Sequence, residues 1–182
     1  MIIVVGVAGS GKSTQSKLLA EATGWCWISM GQLLRNRLSG DVREEMNSGK
    51  LLDDAMVENI LMQELASVVP SCKVVLDGFP RRVVQAAWLL GAAKEAGDAI
   101  EAIVHISAHE NVVLERLLQR GRPDDKPDAI NERFLEYEKD IKPLLQLFAT
   151  KDVPIIEVNG EQSPSAVQAE IRLGLTDAGV VI

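Results

Sequence analysis

Residues 6–14 read Gly6-Val7-Ala8-Gly9-Ser10-Gly11-Lys12-Ser13-Thr14 and contain the pattern Gly-x-x-x-x-Gly-Lys-Ser/Thr. The residues before this stretch, Ile2 to Val5, are apolar and β-branched, which is typical of a short buried strand. The residues after it, Gln15 to Glu21, have the composition of a helix. A glycine-rich loop between a strand and a helix is the context in which this pattern binds phosphate groups.

The residue types in this stretch explain how phosphate binds. Glycines have no Cβ, so the backbone can wrap closely around a ligand and point several N–H groups into one concavity. Lys12 can reach the β- and γ-phosphates of a nucleotide, and Ser13 or Thr14 can offer a hydroxyl to Mg²⁺. The loop therefore predicts a nucleoside triphosphate as ligand, although the loop alone does not say where the phosphate goes.

The composition is that of a globular protein. The chain has 182 residues, 47% hydrophobic and 25% charged, which fits one domain with a sizeable core. Its formal net charge of −7 argues against a nucleic-acid binder, because phosphate backbones require a basic surface. The apolar run at the beginning is too short for a signal peptide or a membrane span, so we expect a cytoplasmic protein with no nucleic-acid or membrane partner.

The two cysteines, Cys26 and Cys72, lie far apart in the sequence and lack a metal-ligand spacing. We expect both to be small apolar core residues rather than a disulfide or a site. The two histidines, His105 and His109, have no paired ligands, and we interpret both as structural.

Apolar runs alternate with helical patterns along the chain. Strands are predicted near residues 2–5, 25–28, 73–76, 100–106 and 153–158. Helices are predicted between them: Asp53 to Val69, Pro80 to about Ala96, and Asp128 to about Ala149, kinked or divided at Pro143. The sequence thus predicts an α/β fold, a parallel five-stranded sheet with helices on both faces and a ligand crevice at the carboxyl ends of the strands.

Two further groups of residues suggest chemistry at that edge. Asp77-Gly78-Phe79-Pro80-Arg81 follows a strand, so Asp77 could hold a magnesium-bound water and Arg81 could pair with phosphate. A tight turn in which Asp77 caps a helix is the alternative. The second group is the exposed loop Gly121 to Pro127 with its neighbouring arginines, which looks like a lid over phosphates or, alternatively, a solvated charged loop. That group comprises Arg116, Arg120, Arg122, Asp124, Asp125 and Arg133.

Together these motifs resemble the adenylate kinase family of nucleoside monophosphate kinases over nearly the whole chain. The most specific part is Asp77-Gly78-Phe79-Pro80-Arg81 with Gln85 four residues on. Other matching stretches are Gly31-Gln32-Leu33-Leu34-Arg35, Gly49-Lys50-Leu51-Leu52, Arg120-Gly121-Arg122-Pro123-Asp124-Asp125, Lys142-Pro143-Leu144 and Val158-Asn159-Gly160. The resemblance implies a P-loop NTPase-type core in a single domain, residues 1–182. It adds a helical NMP-binding segment at about 29–58 and a short lid at about 120–126.

The resemblance also implies the roles of individual residues. Catalytic roles fall to Lys12, Arg81, Arg122 and Arg133. ATP binding falls to Gly9, Ser10, Gly11, Lys12, Ser13, Thr14, Arg120 and Gln162. AMP binding falls to Met30, Gly31, Arg35, Lys50, Leu51, Leu52, Gly78, Phe79, Pro80, Arg81, Gln85, Arg122 and Arg133. Mg²⁺ would enter with ATP and lie near Ser13 and Asp77, through water. The lid contains no cysteine, so no zinc is expected.

The implied reaction is reversible, Mg-dependent phosphoryl transfer from ATP to AMP, giving two ADP, by a monomer. Met30 stands where AMP-using relatives usually carry Thr, whereas Gln85 can present a donor and an acceptor to adenine. AMP is therefore the predicted acceptor. A kinase for UMP, CMP or another small acceptor is the alternative, followed by a slow ATPase that acts as a switch.

Overall fold

The computed structural model describes residues 1–69 and 71–182. The described residues form five strands and eight helices. In chain order these are β1 (Ile2–Val5), α1 (Lys12–Thr23), β2 (Cys26–Ser29), α2 (Met30–Arg37), α3 (Gly40–Asn47), α4 (Asp54–Ser67), β3 (Val74–Asp77), α5 (Val83–Ala96), β4 (Ala102–Ser107), α6 (Glu110–Arg120), α7 (Pro127–Ala149), β5 (Ile155–Asn159) and α8 (Pro164–Asp177).

The five strands form one parallel sheet in the order β2-β3-β1-β4-β5. The predicted fold class is confirmed. Strand β1 lies in the centre, where Ile3 stands between Leu76 of β3 and Ile103 of β4. The residues that follow β1 and β3 therefore leave the sheet side by side at its carboxyl edge.

Alternate residues of β1 serve two separate cores. Ile2 and Val4 point to the face covered by α1 and α8, whereas Ile3 and Val5 point to the face covered by α4, α5 and α7. Because both faces are buried, the central strands are continuously apolar, as expected for a parallel sheet.

Two helices differ from their predicted course. Helix α5 begins at Val83 rather than at Pro80, because residues 78–81 form a loop in which the N–H of Arg81 donates to the side chain of Gln85. Helix α7 is not divided at Pro143, which was one of the two predicted alternatives. Leu144 and Phe148 beyond this proline are buried in the core, so packing holds the helix together despite the missing N–H.

The expectation for the cysteines was wrong, since Cys26 and Cys72 form a disulfide and both are only half-buried. Strand β2 lies next to β3, with Cys26 opposite Val74. Cys72, two residues before Val74, therefore lies beside Cys26, with a Cα–Cα distance of 5.9 Å. Sequence separation concealed this contact, because parallel pairing brings distant segments together.

Gly49, at the end of the α3 region, lies against the beginning of α7. Its φ of +93° is in the left-handed region, and a Cβ at this position would lie 2.5 Å from the carbonyl oxygen of Ala129. A residue without a side chain is thus required for this contact between the two segments.

No helix among residues 1–69 and 71–182 is both long enough and apolar enough to cross a membrane.

Helix α8 offers a matched pair of leucines for testing the packing. Leu175 is fully buried between helix and sheet, whereas Leu173 on the same helix is 63% exposed. We expect Leu175→Ala to lower the free energy of unfolding by about 2–5 kcal/mol, because it removes buried methyl groups and leaves a cavity. Leu173→Ala should change it by less than about 0.5 kcal/mol. Urea denaturation of both variants measures this difference, and equal losses would contradict the assigned packing.

Candidate active site

A cavity of about 490 Å³ opens at the carboxyl edge of the sheet. Every residue predicted for the ATP, AMP, catalytic and metal sites lines it. These residues come from the loop after β1 and the beginning of α1, from α2, from the segment between α3 and α4, from the loop after β3 and α5, from α6, α7 and the loop between them, and from the segment before α8. The structure thus brings residues from across the chain together around one space.

The loop after β1 places Lys12 at the cavity wall. Gly9 and Gly11 have φ values of +87° and +101°, which side chains rarely allow, and helix α1 begins at once with Lys12. The ammonium group of Lys12 donates to the carbonyl oxygen of Val7 at 2.7 Å. The pKa of Lys12 is lowered to about 8, and desolvation by burial is the largest cause. Asp77 opposes this shift, whereas Arg81, Arg120 and Arg133 add to it.

The carboxylate of Asp77 lies at the end of β3, 2% exposed, and faces the loop after β1. Its Oδ2 accepts hydrogen bonds from Ser13 Oγ at 2.6 Å and from Ser29 Oγ at 2.9 Å. These contacts support the predicted role of Asp77 at the cavity over the alternative of a helix cap. The serine hydroxyls and carboxylate are oxygen donors of the type that Mg²⁺ prefers, so the residues fit a hydrated magnesium brought by a nucleotide.

The cavity is strongly cationic, although the whole chain has a net charge of −7. Its lining contains eight cationic side chains, which are Lys12, Arg35, Lys50, Arg81, Arg116, Arg120, Arg122 and Arg133. It contains three acidic ones, which are Asp77, Asp124 and Glu136. This excess of positive charge in a concave space favours a polyanionic ligand.

The loop between α6 and α7 was expected to be exposed. This expectation is wrong for its two aspartates. Asp124 and Asp125 are 5% and 6% exposed. Asp125 accepts two hydrogen bonds from Arg120, at 2.5 and 2.8 Å, and Asp124 accepts one from Arg133 at 2.6 Å. Burial raises the pKa of Asp124, but the charge and hydrogen bond of Arg133, a backbone hydrogen bond and the charge of Arg120 together lower it. The aspartates therefore orient arginines at the cavity rather than face solvent.

Arg81 and Arg35 lie in the same electrostatic environment. The Nε of Arg81 donates to the carbonyl oxygen of Gly78 at 3.0 Å. Desolvation, followed by the neighbouring Arg133, lowers the pKa of Arg81. Desolvation and the neighbouring Arg122 likewise lower the pKa of Arg35. Mutual repulsion of this kind is relieved when an anion enters between the guanidinium groups.

Another part of the lining is apolar and belongs to the core cluster beneath α2, α4 and α5. Its side chains are Met30, Leu34, Leu52, Val57 and Phe79. Gln85, 3% exposed, also lines the cavity and hydrogen-bonds to Asp54, which lies between Leu52 and Val57 in the chain. An apolar slot with one convergent polar group is a typical binding site for a planar base.

The comparisons with known proteins agree with this geometry. The sequence model of the family described as adenylate kinase matches residues 4–153. The chain belongs to the adenylate kinase family. It is 33% identical to adenylate kinase 1 of Nostoc sp., over 96% of this chain and 97% of the relative. It is 33% identical to an adenylate kinase of Prochlorococcus marinus, over 94% and 96%, and 32% identical to one of Encephalitozoon cuniculi, over 94% and 95%.

Membership of the adenylate kinase family confirms several predictions. The chain is a nucleoside monophosphate kinase, a phosphotransferase, and the family reaction is phosphoryl transfer between ATP and AMP. Neither the relatives nor the structure favour the UMP or CMP alternative.

Sequence reasoning missed several residues at this cavity. Ser29 supports Asp77, Asp54 and Arg82 support Gln85, and Tyr137 lines the cavity from α7. Tyr137 Oη lies 2.6 Å from Nε2 of His105, whose Nδ1 lies 2.5 Å from Glu157. His105 is thus structural, as interpreted. Burial and the nearby Glu157 raise the pKa of Tyr137 to about 12. These residues carry no motif, although the position of Ser29 at the end of a predicted strand was a usable signal.

The lowered pKa of Lys12 predicts proton uptake when ATP binds. At pH 8.5 about three quarters of free Lys12 is neutral, and phosphate charge next to it should restore the proton. We expect magnesium and a non-hydrolysable ATP analogue to bind with uptake of up to about 0.7 proton at pH 8.5 and almost none at pH 6.5. Calorimetry in buffers of different ionisation enthalpy measures this number.

Lys12→Arg is the matched control for that measurement, because arginine keeps its charge at both pH values. It should bind the analogue without the pH-dependent uptake. Equal uptake by the parent enzyme at pH 6.5 and 8.5 would show that Lys12 does not titrate against the nucleotide.

Proposed function

We propose that this chain transfers the γ-phosphoryl group of MgATP to AMP, reversibly, with ATP on the loop after β1 and AMP on the side of Arg35 and Gln85. The ATP side comprises Gly9, Ser10, Gly11, Lys12, Ser13, Thr14, Arg120 and Gln162. The AMP side comprises Met30, Gly31, Arg35, Lys50, Leu51, Leu52, Gly78, Phe79, Pro80, Arg81 and Gln85. Arg122 and Arg133 contact the phosphates between them.

One observation carries this proposal. Arg81, Arg120 and Arg133 come from three different segments, yet all three lie close enough to the ammonium group of Lys12 to lower its pKa. The loop, Lys12 and Arg120 can hold one phosphate tail. Arg81 and Arg133, which reach the end of that loop from two further segments, suit a second phosphate that approaches the first.

The chemistry requires charge and position more than a reactive side chain. An oxygen of the AMP phosphate attacks the γ-phosphorus of ATP, and the bond from that phosphorus to the β–γ bridging oxygen breaks. The attacking oxygen is already anionic near pH 7, because the second pKa of a phosphate ester is about 6, so no general base is needed. Lys12, Arg81, Arg122 and Arg133 stabilise the negative charge on the transferring group and hold the reactants in line.

Magnesium enters as part of the substrate MgATP. The Ser13 hydroxyl is its nearest protein donor in this proposal, and Asp77 holds a water of its hydration shell. The hydrogen bond between Ser13 Oγ and Asp77, 2.6 Å long, supports this role because it holds the carboxylate at the end of β3 beside the serine hydroxyl at the beginning of α1.

Two segments are proposed to close over the nucleotides. Residues 29–58 would form the clamp over AMP, and residues 120–126 would form the lid. The ion pairs of Arg120 with the buried Asp125 and of Arg133 with the buried Asp124 support the lid, because they hold two arginines at the cavity before any ligand arrives. Closure excludes water, which would otherwise hydrolyse ATP. We further propose a monomer that acts in the cytoplasm.

A side-by-side assay of acceptors tests the reaction. We expect ADP formation from MgATP to depend on AMP, and to be at least about tenfold slower with UMP, CMP or GMP, because Gln85 is buried where it can pair with adenine. A coupled assay of ADP production with each acceptor and with none gives the ratios. Turnover without an acceptor would indicate an ATPase, and a preference for UMP or CMP would show that Met30 reshapes the base slot.

Removing one cation from the centre of the site tests the residue roles. We expect Arg81→Ala and Lys12→Ala each to lose about 3–4 kcal/mol of transition-state stabilisation, a fall in kcat of about 10²–10³-fold. Arg172→Ala, at an exposed position of α8, removes the same charge far from the cavity and should leave kcat unchanged. If the kcat of Arg81→Ala or Lys12→Ala stayed within a few-fold of that of the parent enzyme, the role assigned to that residue would be wrong.

A further inference from the structure

The amide of Gln85 already makes two hydrogen bonds within the protein. Its Oε1 accepts from the backbone N–H of Arg81 at 2.8 Å, and its Nε2 donates to Asp54 Oδ1 at 2.7 Å. A glutamine amide offers two acceptor sites on oxygen and two hydrogens on nitrogen. One acceptor site and one hydrogen therefore remain for a ligand in the cavity.

These partners permit only one orientation of the amide. Rotating it by half a turn would place Oε1 against the carboxylate of Asp54 and the NH₂ group against the N–H of Arg81. Both contacts would then be repulsive, and buried groups would be left without partners. Asp54 is the stronger of the two constraints because a carboxylate can only accept.

Asp54 is itself held in place by Arg82. The same Oδ1 forms an ion pair with Arg82 at 2.8 Å, and Arg82 also donates to the carbonyl oxygen of Leu52 at 2.5 Å. Among the residues that the structure describes, Asp54 and Arg82 do not belong to the lining of the cavity. Their hydrogen bonds to residues of the cavity wall go to Gln85 and to the backbone of Leu52.

An amide with a fixed orientation distinguishes two kinds of base edge. Adenine presents an amino donor at position 6 and an acceptor at N1, which match the free Oε1 acceptor and the free Nε2 hydrogen. A 6-oxopurine in the same pose presents the reverse, an acceptor at position 6 and a donor at N1. An amide free to rotate could serve either edge, whereas a fixed amide serves only one.

We propose that Asp54, held by Arg82, is a positioning residue that fixes the amide of Gln85 and thereby makes the slot select 6-aminopurine over 6-oxopurine acceptors. This inference rests on the proposed function, because it assumes that the base of the acceptor lies against Gln85. It adds a residue pair outside the cavity that determines base specificity.

The neighbouring aspartate separates this role from support of the helix. Asp53 is the N-cap of α4, and its side chain accepts from the N–H of Met56 at 3.0 Å. Asp54 follows it as the first helical residue. Asp53→Asn and Asp54→Asn thus make the same chemical change one residue apart, and asparagine is an equally good N-cap.

The test compares AMP with inosine monophosphate, which differs from AMP only at position 6 and N1 of the base. In Asp54→Asn, the ion pair with Arg82 is lost and residue 54 can present either its oxygen or its NH₂ group to Gln85, so only the N–H of Arg81 still favours one orientation of the Gln85 amide. We expect the ratio of kcat/KM for AMP to that for inosine monophosphate to fall at least about tenfold. The KM for AMP should rise while its kcat stays within about threefold, because the phosphate groups are untouched. Asp53→Asn should leave the ratio unchanged.

The possible outcomes separate the two proposals. If the ratio of kcat/KM for AMP to that for inosine monophosphate in Asp54→Asn stayed within about twofold of its value in the parent enzyme, the role of Asp54 would be overturned. An equal fall of this ratio in Asp53→Asn would also overturn it. If the parent enzyme itself formed no ADP in response to AMP, the proposed function would fail first. A large ratio in the parent enzyme that falls only in Asp54→Asn supports both.

Discussion

Repulsion among like charges is the constraint on which this site depends. Burial, and after it the charge of neighbouring arginines, lowers the pKa values of Lys12, Arg35 and Arg81. Carboxylates of Asp77, Asp124 and Asp125 offset part of this charge, and backbone carbonyls accept from Lys12 and Arg81. The remaining positive charge needs phosphate to balance it. The free protein is thus prepared for a ligand that supplies negative charge at the centre.

The fold makes this arrangement possible because the charges come from segments far apart in the chain. A parallel sheet directs the ends of neighbouring strands to one edge, so the loops after β1 and β3 meet there without contact along the sequence. The core beneath α4, α5 and α7 supplies the apolar slot, and the aspartates of the loop before α7 orient arginines from α6 and α7. Each part of the site is therefore held by an element whose own packing is independent of the ligand.

The sequence predicted what local patterns can encode. The loop at residues 6–14 and the run from Asp77 to Arg81 identified the edge of the sheet that carries the site. The alternation of predicted strands with predicted helices identified the fold. Pairings across the fold had no such signal: the Cys26–Cys72 contact follows from adjacency of β2 and β3, and the burial of Asp124 and Asp125 follows from their arginine partners. The link from Arg82 through Asp54 to Gln85 was missed for the same reason, since each of these residues alone looks like an ordinary polar residue.

The contact between Gly49 and Ala129 has a mechanical consequence. Gly49 ends the segment of α2 and α3, and Ala129 belongs to the first turn of the helix that carries Arg133. The two segments can approach until their backbones touch, because no side chain keeps them apart. This close contact lies at the wall of the cavity, which Gly49 itself lines. Any side chain at position 49 would push the end of α3 away from the beginning of α7 and leave a gap in the wall of the cavity.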